Sequence, residues 1–445
     1  MQQAAGTGAQ DGEQAVTIEE ALDIAVRAHR SGDLRTAEAV YGRILAAAPD
    51  YPPALHFYGL LHHHTGRSDT AVELIRRAIV QQPDDAGMHN NLGNVLNEQN
   101  RHSEAELAYA EAVRVQPDHA DALSNRGVAL RTLGRLDEAE ACYRRAIAVD
   151  AGHREAYDNL GRLLTGRGRV EEAIACHVRA MELQPRNADT RRLLAAAYAA
   201  TGELAKAKDI LEAWLADEPG SATARHLLAA VSGENVPGRA DDVYVETMFD
   251  GFAASFDTKL AKLGYRAPAL VSEAVARACG EPAGNLSILD AGCGTGLCGP
   301  LLKPYASRLD GVDLSSKMLD GARAREIYDE LAHEELTAFL LRQPGRYDLV
   351  VSADTLCYFG ALETVLAAAA QALRPGGVLA FTLEEEMAAG EVRLNPHGRY
   401  SHREDYVRAV LVQSGLAVAG IEHEELRQER GLPVAGLVVT ARKPI

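Results

Sequence analysis

Residues 288–299 read Ile-Leu-Asp-Ala-Gly-Cys-Gly-Thr-Gly-Leu-Cys-Gly, an apolar run that delivers Asp290, Gly292, Cys293, Gly294 and Gly296 into a turn. Glycines let a backbone approach a ligand closely and reverse sharply. The spacing Asp-x-Gly-x-Gly-x-Gly departs from the Gly-x-Gly-x-x-Gly of pyrophosphate-binding turns, which suits a ligand without a pyrophosphate. A second apolar run ends at Asp313, 17 residues after Gly296. A carboxylate at that point accepts hydrogen bonds from both hydroxyls of a ribose, so the pair of signals points to a nucleoside. Four further groups are able to take a proton from a substrate: Asp354, His397, Tyr400 and His402. The last three share a glycine-containing insert suited to act as a lid. No metal site is expected. Cys293 and Cys298 belong to the glycine turn, and His62, His63 and His64 on one helix point about 100° apart, so they cannot converge on an ion.

These residues need a scaffold, and from about residue 243 the pattern supplies one. Strands are expected at 287–291, 309–313, 348–352, 378–383, 418–423 and 436–441, alternating with helices at 297–306, 316–331, 361–374 and 403–414, which implies a parallel sheet. Between the second and third of these strands the stretch Tyr-Asp-Glu-Leu-Ala-His-Glu-Glu-Leu-Thr-Ala-Phe-Leu shows no β pattern.

The N-terminal half is written in one period. Residues 18–221 divide into six units of 34, beginning at Ile18, Pro52, Ala86, Ala120, Arg154 and Ala188. The twentieth place of each unit is alanine (Ala37, Ala71, Ala105, Ala139, Ala173, Ala207), and the eighth is Ala25, Gly59, Gly93, Gly127, Gly161 and Ala195. Small residues at these places let two helices approach. Gly32, Gly66, Asn100, Gly134, Gly168 and Gly202 are expected to end the first helix of each pair in a left-handed cap. Pro49, Pro83, Pro117, Pro185 and Pro219 end the second, with Ala151 the one departure. The sixth place of three successive units is Asn91, Asn125 and Asn159, a ladder able either to pair with a bound peptide backbone or to brace neighbouring helices. Trp214 is expected to plug the end of the stack. Residues 222–234 then read as a capping helix, and Asn-Val-Pro-Gly-Arg-Ala-Asp-Asp (235–242) as a linker. The organisation expected is therefore a flexible tail over 1–17, repeats over 18–221, a capping helix and linker over 222–242, and a catalytic domain over 243–445.

Residues 18–221 resemble the tetratricopeptide repeat family, whose members form an all-α solenoid with a groove that holds a peptide or partner protein. Residues 244–443 resemble the class I S-adenosylmethionine-dependent methyltransferases, an α/β Rossmann-like fold. The resemblance rests on the glycine turn, on Leu-Asp-Gly-Val-Asp-Leu-Ser ending at Ser315, on Tyr-Asp-Leu-Val-Val-Ser-Ala-Asp-Thr-Leu-Cys-Tyr-Phe-Gly and on Arg-Pro-Gly-Gly-Val-Leu-Ala-Phe-Thr-Leu-Glu-Glu (374–385). It implies that Asp290, Gly292, Cys293, Gly294 and Gly296 surround the methionine moiety of S-adenosyl-L-methionine and that Asp313 holds the ribose. Leu314 and Ser315 would lie beside the adenine, with Glu334 or Glu335 as the adenine contact, and Asp354 would face the reaction centre. The chain is also similar to a narrower group of methyltransferases with N-terminal repeats, through 249–268, 397–408 and 425–443. There the aromatic residues Phe249, Phe252, Phe256 and Tyr265 either close over the cofactor or pack on the sheet.

Charge and composition trim the alternatives. The net charge of −17 is shared between the halves, with 26 basic against 34 acidic residues over 1–240 and 20 against 29 over 241–445. Neither half carries the basic stripe of a nucleic-acid binder. No apolar run is long enough for a bilayer, the N-terminal residues are polar, and the six cysteines form no Cys-x-x-Cys pair, a combination that fits a cytoplasmic protein. Two function classes follow: a methyltransferase whose repeats bind a partner or deliver a protein, carrier or small-molecule substrate, and an interaction protein whose methyltransferase fold binds cofactor without turnover.

Overall fold

The computed structural model describes residues 16–388, 390–429 and 432–445. The tail expected over 1–17 lies outside the described residues as far as residue 15. Thr17 then caps the first helix, its hydroxyl accepting from the Glu20 amide at 3.1 Å while Glu20 Oε2 accepts from the Thr17 amide at 2.8 Å. Six helix pairs follow: α1 (Ile18–Arg30) with α2 (Leu34–Ala47), α3 (Pro52–His64) with α4 (Ser68–Gln81), and α5 (Ala86–Glu98) with α6 (His102–Val115). They continue as α7 (Ala120–Thr132) with α8 (Leu136–Val149), α9 (Arg154–Gly166) with α10 (Val170–Leu183), and α11 (Ala188–Ala200) with α12 (Leu204–Asp217). Each first helix opens where the sequence period begins. Every residue expected to cap it has positive φ, from 60° at Asn100 to 84° at Gly32, so the chain reverses where only glycine or asparagine turns cheaply.

The packing reason for the small residues is specific. All six alanines of the twentieth place are fully buried. The eighth-place glycines of the middle units lie against a large buried side chain at the twenty-fourth place. A Cβ on Gly93 would stand 2.5 Å from the Tyr109 ring, one on Gly127 2.5 Å from Tyr143, and one on Gly161 2.5 Å from His177. The period thus encodes a knob and its hole, of which the small residues mark the hole.

By compactness the chain forms two units, one running to Leu164 and including Ala175–Gln184, the other made of Thr165–Ile174 and Pro185–Ile445. The second unit therefore holds the last helix pair and the capping helix α13 (Ala222–Ser232) together with the α/β domain. Trp214 is buried among Ala195, Ala207, Leu211, Ala224 and Val231, and its indole N–H donates to Glu218 at 3.0 Å. The stretch read as a linker is pinned. Gly238 O accepts from the amides of Gly360 (2.9 Å) and Ala361 (2.7 Å), Ala240 N donates to Tyr358 O (2.8 Å), and the Tyr400 hydroxyl donates to Pro237 O (2.7 Å).

Three helices precede the sheet: α14 (Asp242–Asp250), α15 (Phe256–Lys262) and α16 (Ala267–Cys279). The sheet comprises β1 (Leu286–Ala291), β2 (Ala306–Asp313), β3 (Glu330–His333), β4 (Tyr347–Ser352), β5 (Leu373–Glu385), β6 (Val392–Leu394), β7 (Tyr400–His402), β8 (Ala417–Glu429) and β9 (Leu432–Arg442). Between them run α17 (Gly299–Leu302), α18 (Ser316–Arg323), α19 (Leu336–Leu341), α20 (Glu363–Ala372) and α21 (Glu404–Gln413). Strands β3-β2-β1-β4-β5 are parallel neighbours in that order, β9 runs antiparallel between β5 and β8, and β7 pairs with the last two residues of β5. Alternate residues of the central strands feed two cores. Leu289 and Val350 pack with α20 on one face, Ile288 and Leu349 with Val271 and Val275 of α16 on the other.

Three expectations are corrected. A third strand exists, pairing Asp310–Asp313 of β2 with Glu330–His333, but it is four residues long with two of them exposed, so no apolar alternation marks it. The helix expected at 316–331 stops at Arg323, and Glu326 turns with φ 55° so that Tyr328 points inward. The helix expected at 297–306 is the short α17, because β2 already begins at Ala306. The insert after β5 is a β-hairpin joined to the sheet through β7.

Candidate functional site

Reversal of strand order on the two sides of β1 leaves a crevice at the carboxyl ends of β1 and β4, where ligands of open α/β sheets bind. A cavity of about 300 Å³ lies there. Its floor is the glycine turn, with Gly292, Gly294 and Gly296 at φ 74°, 55° and 85°. The three glycines do different things. A side chain on Gly292 would run into Thr355, and one on Gly296 would come within 2.9 Å of Tyr328, whereas Gly294 has only the Phe256 ring within 4 Å, at 3.8 Å. Gly292, Cys293 and Gly294 line the cavity. Gly296 does not.

Asp313 ends β2 at the cavity wall, its carboxylate aimed by the amides of Gly294 (2.8 Å) and Ser315 (2.9 Å). Burial raises its pKa, an effect that these amides oppose. Leu314 lines the cavity beside it. Ser315 is fully buried. Its hydroxyl caps α18 by accepting from Met318 N at 3.1 Å and donates to Asp250 at 2.5 Å. Glu335 caps α19 with Oε2, accepting from Ala338 N at 2.8 Å, while its buried Oε1 accepts no hydrogen bond from the described residues and stands 3.7 Å from the Arg239 guanidinium. Glu334 also lines the cavity, paired to Arg342.

Asp290 is not at the cavity. It is buried under the turn, where it accepts from the Tyr328 hydroxyl at 2.6 Å, and burial pushes its pKa up to about 7. It props the turn from below.

Over β4, β5 and β8 the cavity becomes highly charged. Asp354 follows β4 at φ 58°, a conformation that non-glycine residues hold at a cost. Both its oxygens accept from Arg427 Nη1 at 3.0 Å. Arg427, 2% exposed, also donates to Glu429 at 2.8 Å and to Glu384, and Arg399 donates to Glu384 at 2.6 Å and to Glu429. Burial works against the charge of Glu384 and Glu429, yet Arg399 and Arg427 hold both carboxyls below the usual range, Glu429 at about 2. Two guanidinium groups thus neutralise two of three carboxylates. Arg399, Arg427 and Glu429 were not singled out in the sequence. The signal available was Arg-x-Glu within a strand, where alternate residues share a face, but their partners lie far away along the chain.

The remaining candidates are not brought to the cavity. Tyr400 is buried with its hydroxyl donated to Pro237 O. His402 is fully buried, its Nε2 3.1 Å from Gly360 O, and burial lowers its pKa to about 4, so it stays neutral. His397 stands 3.6 Å from Glu384 behind the lining residues. Phe249, Phe252, Phe256, Tyr265 and Tyr358 form an aromatic wall, and Asp257 ties it to the floor by accepting from Thr295 Oγ1 at 2.5 Å and from Arg325 at 2.6 Å.

Within the repeats the asparagine ladder is engaged. Asn91 Nδ2 lies 3.0 Å from His56 Nε2, and Asn125 Nδ2 donates to Asn90 Oδ1 (3.1 Å) and Asn94 Oδ1 (3.2 Å), each a contact to the preceding unit, while Asn159 is half-buried. His63 and His64 turn to different partners, Glu98 and His29. No group of three metal-ligating side chains occurs among the described residues, and none of their helices is long and apolar enough to cross a membrane.

A methyltransferase-domain family model matches residues 289–379. Tetratricopeptide-repeat models match residues 22–86, 90–153 and 128–180, and residues 164–231. Methyltransferase-like protein 27 of Homo sapiens is 29% identical over 170 residues, 38% of this chain and 68% of that protein. The ubiquinone biosynthesis O-methyltransferase of Bordetella pertussis is 29% identical over 167 residues, 33% of this chain and 68% of its own length. A solved structure of pilF from Pseudomonas aeruginosa is 17% identical with a TM-score of 0.43, covering 48% of this chain and 96% of that one.

Proposed function

Because the chain joins tetratricopeptide repeats to a methyltransferase domain, we propose that its C-terminal cavity binds S-adenosyl-L-methionine and passes the methyl group to an acceptor held over β4, β5 and β8. The observation that carries this reading is the Asp313 carboxylate, fixed by two amides at the cavity wall, with Glu335 Oε1, which accepts no hydrogen bond among the described residues, on the same side of β1. A ribose diol and an exocyclic amine satisfy those two acceptors, and Gly294 leaves room for the ligand backbone to approach.

When bound, S-adenosylmethionine supplies an electrophilic methyl group on a sulfonium. The chain's own contribution is then orientation and exclusion of water. Phe249, Phe252, Phe256 and Tyr358 cover the site, and Asp354 presents negative charge near the reacting end. Proton removal is a smaller part of the task. Asp354 is held by Arg427, Tyr400 and His402 are buried in other bonds, and His397 lies behind the lining, so none of the four is poised as a general base. An acceptor whose proton leaves to solvent after methyl transfer suits such a site. The repeats bind a protein or peptide, by this proposal along the face carrying Asn91, Asn125 and Asn159, as partner or substrate.

Calorimetric titration of the full chain with S-adenosylhomocysteine tests the cofactor site. Asp313→Ala leaves two ribose hydroxyls unpaired, a loss of about 1.5–3 kcal/mol, or roughly 10- to 150-fold in Kd. Unchanged affinity in the variant would remove Asp313 from the site.

A further inference from the structure

The hairpin β6–β7 joins two things that the cofactor site does not explain. Its turn carries Arg399 into the cavity, and its outer side packs on the capping helix α13. Leu394 and Tyr400 of the hairpin form one buried cluster with Ala229 and Ala230 of α13. At the centre of this contact His226, 3% exposed, has Nε2 2.8 Å from the Gly398 carbonyl, and its ring stacks on Tyr244 with centroids 4.2 Å apart. Gly398 sits at φ 88°, and a side chain there would collide with the Tyr244 hydroxyl, so the turn has one available seat. The turn is closed by Gly398 N donating to Asn395 O at 2.7 Å and Asn395 N to Arg399 O at 2.9 Å.

Arg399 follows directly. Its Nε and Nη2 are bound to Glu384 and Glu429, whereas its Nη1 has no hydrogen-bond partner among the described residues. Arg399 lines the cavity beside Asp354, Arg427 and Glu429, on the opposite side of β1 from Asp313 and Glu335. A donor left over at the acceptor end is what an acceptor oxygen needs. Three carboxylates already face two guanidinium groups there, so a carboxylate or phosphate on the acceptor would add repulsion, and an uncharged oxygen would not.

We propose that His226 on the capping helix is a positioning residue for the methyl acceptor: through the Gly398 carbonyl it fixes the hairpin that presents Arg399 Nη1 to an uncharged oxygen of the acceptor. The inference rests on the methyl-transfer reading of the cavity. It makes α13 part of the acceptor site, so the catalytic site begins before residue 243.

The test uses the full chain and, as acceptor, the extract fraction that takes label from methyl-labelled S-adenosylmethionine, supplied at graded dilution. His226→Phe keeps the stack on Tyr244 and loses the donor to Gly398. His226→Gln returns an N–H at the position of Nε2. The expected result for His226→Phe is an apparent KM for the acceptor raised about tenfold, the size of one lost hydrogen bond, with kcat and S-adenosylhomocysteine affinity within about twofold of the parent. His226→Gln recovers most of the KM. Placed on Arg399→Ala, His226→Phe adds nothing further, because the two act in series. That background also covers a loss of stability: a role limited to folding would lower activity equally in both backgrounds. An unchanged KM in His226→Phe, or an additive effect on Arg399→Ala, would overturn the proposal. Absence of S-adenosylhomocysteine binding by the parent chain would instead bring down the cofactor reading, and this inference with it.

Discussion

Asp290 shows how a motif residue contributes away from the ligand. The native chain keeps its proton to about pH 7 because the carboxyl is buried, with Asp313 nearby adding to the effect and the Tyr328 hydroxyl opposing it, whereas the unfolded chain releases that proton near the usual carboxylate range. Native Asp290 therefore binds more protons than the unfolded chain between about pH 4 and 7, and stability contributed by this group falls as pH rises through that window. Asp290→Asn retains an acceptor for Tyr328 and cannot ionise. The unfolding free energy of the variant relative to the parent is expected to rise by on the order of 3 kcal/mol from pH 5 to pH 8, measured by denaturant titration without ligand. A constant difference across that range would mean that Asp290 is solvated and ionised in the native chain. The sequence made Asp290 legible as a motif member and Asp313 legible as a strand-end acid. It did not separate their positions, because which face a turn residue presents depends on Tyr328, brought in from a segment that the sequence pattern assigned to a helix.

Elements were legible where they repeat or are buried on both faces. The 34-residue period locates the start of every first helix, because breakers and small residues recur at the same places through six units with few departures and so reinforce one another. β3 is not legible, since an edge strand of four residues, two of them exposed, carries no apolar alternation, and the hairpin β6–β7 shows in the sequence only as a glycine-containing insert because its strands have three residues each. What the period left unstated was the twenty-fourth place, occupied by the buried Tyr41, Ile75, Tyr109, Tyr143, His177 and Leu211. That pairing predicts opposite signs for one kind of substitution. Gly127→Ala drives a methyl against the Tyr143 ring and should cost about 1–3 kcal/mol. Gly42→Ala, in mid-helix of α2 with nothing within 4 Å of the added carbon, should gain about 0.5–1 kcal/mol. Thermal unfolding of the two variants checks this, and a gain at Gly127 would mean that the knob-and-hole account is wrong.

At the scale of the molecule, the two kinds of domain are legible from two independent patterns, whereas the contacts of the segment between them are not. Pro237 and Gly238 look like linker composition, and composition is silent about partners. Their carbonyls are taken by Tyr400, Gly360 and Ala361, so the segment belongs to the α/β domain, and the last helix pair and α13 fall in the same compact unit. A catalytic fragment cut at residue 243 would lose the Gly238 contacts and His226 together, which makes the full chain the right object for activity measurements. By the proposed function the Asp313 cavity performs methyl transfer, as opposed to binding cofactor idly while the repeats do the work. It is tested most directly by incubating the full chain with methyl-labelled S-adenosylmethionine and cell extract and following label into other molecules. Label is expected in an acceptor fraction with the parent chain, and little or none with Asp313→Ala at cofactor concentrations near the parent Kd. Normal S-adenosylhomocysteine binding by the parent, with all label remaining in the cofactor, would contradict it.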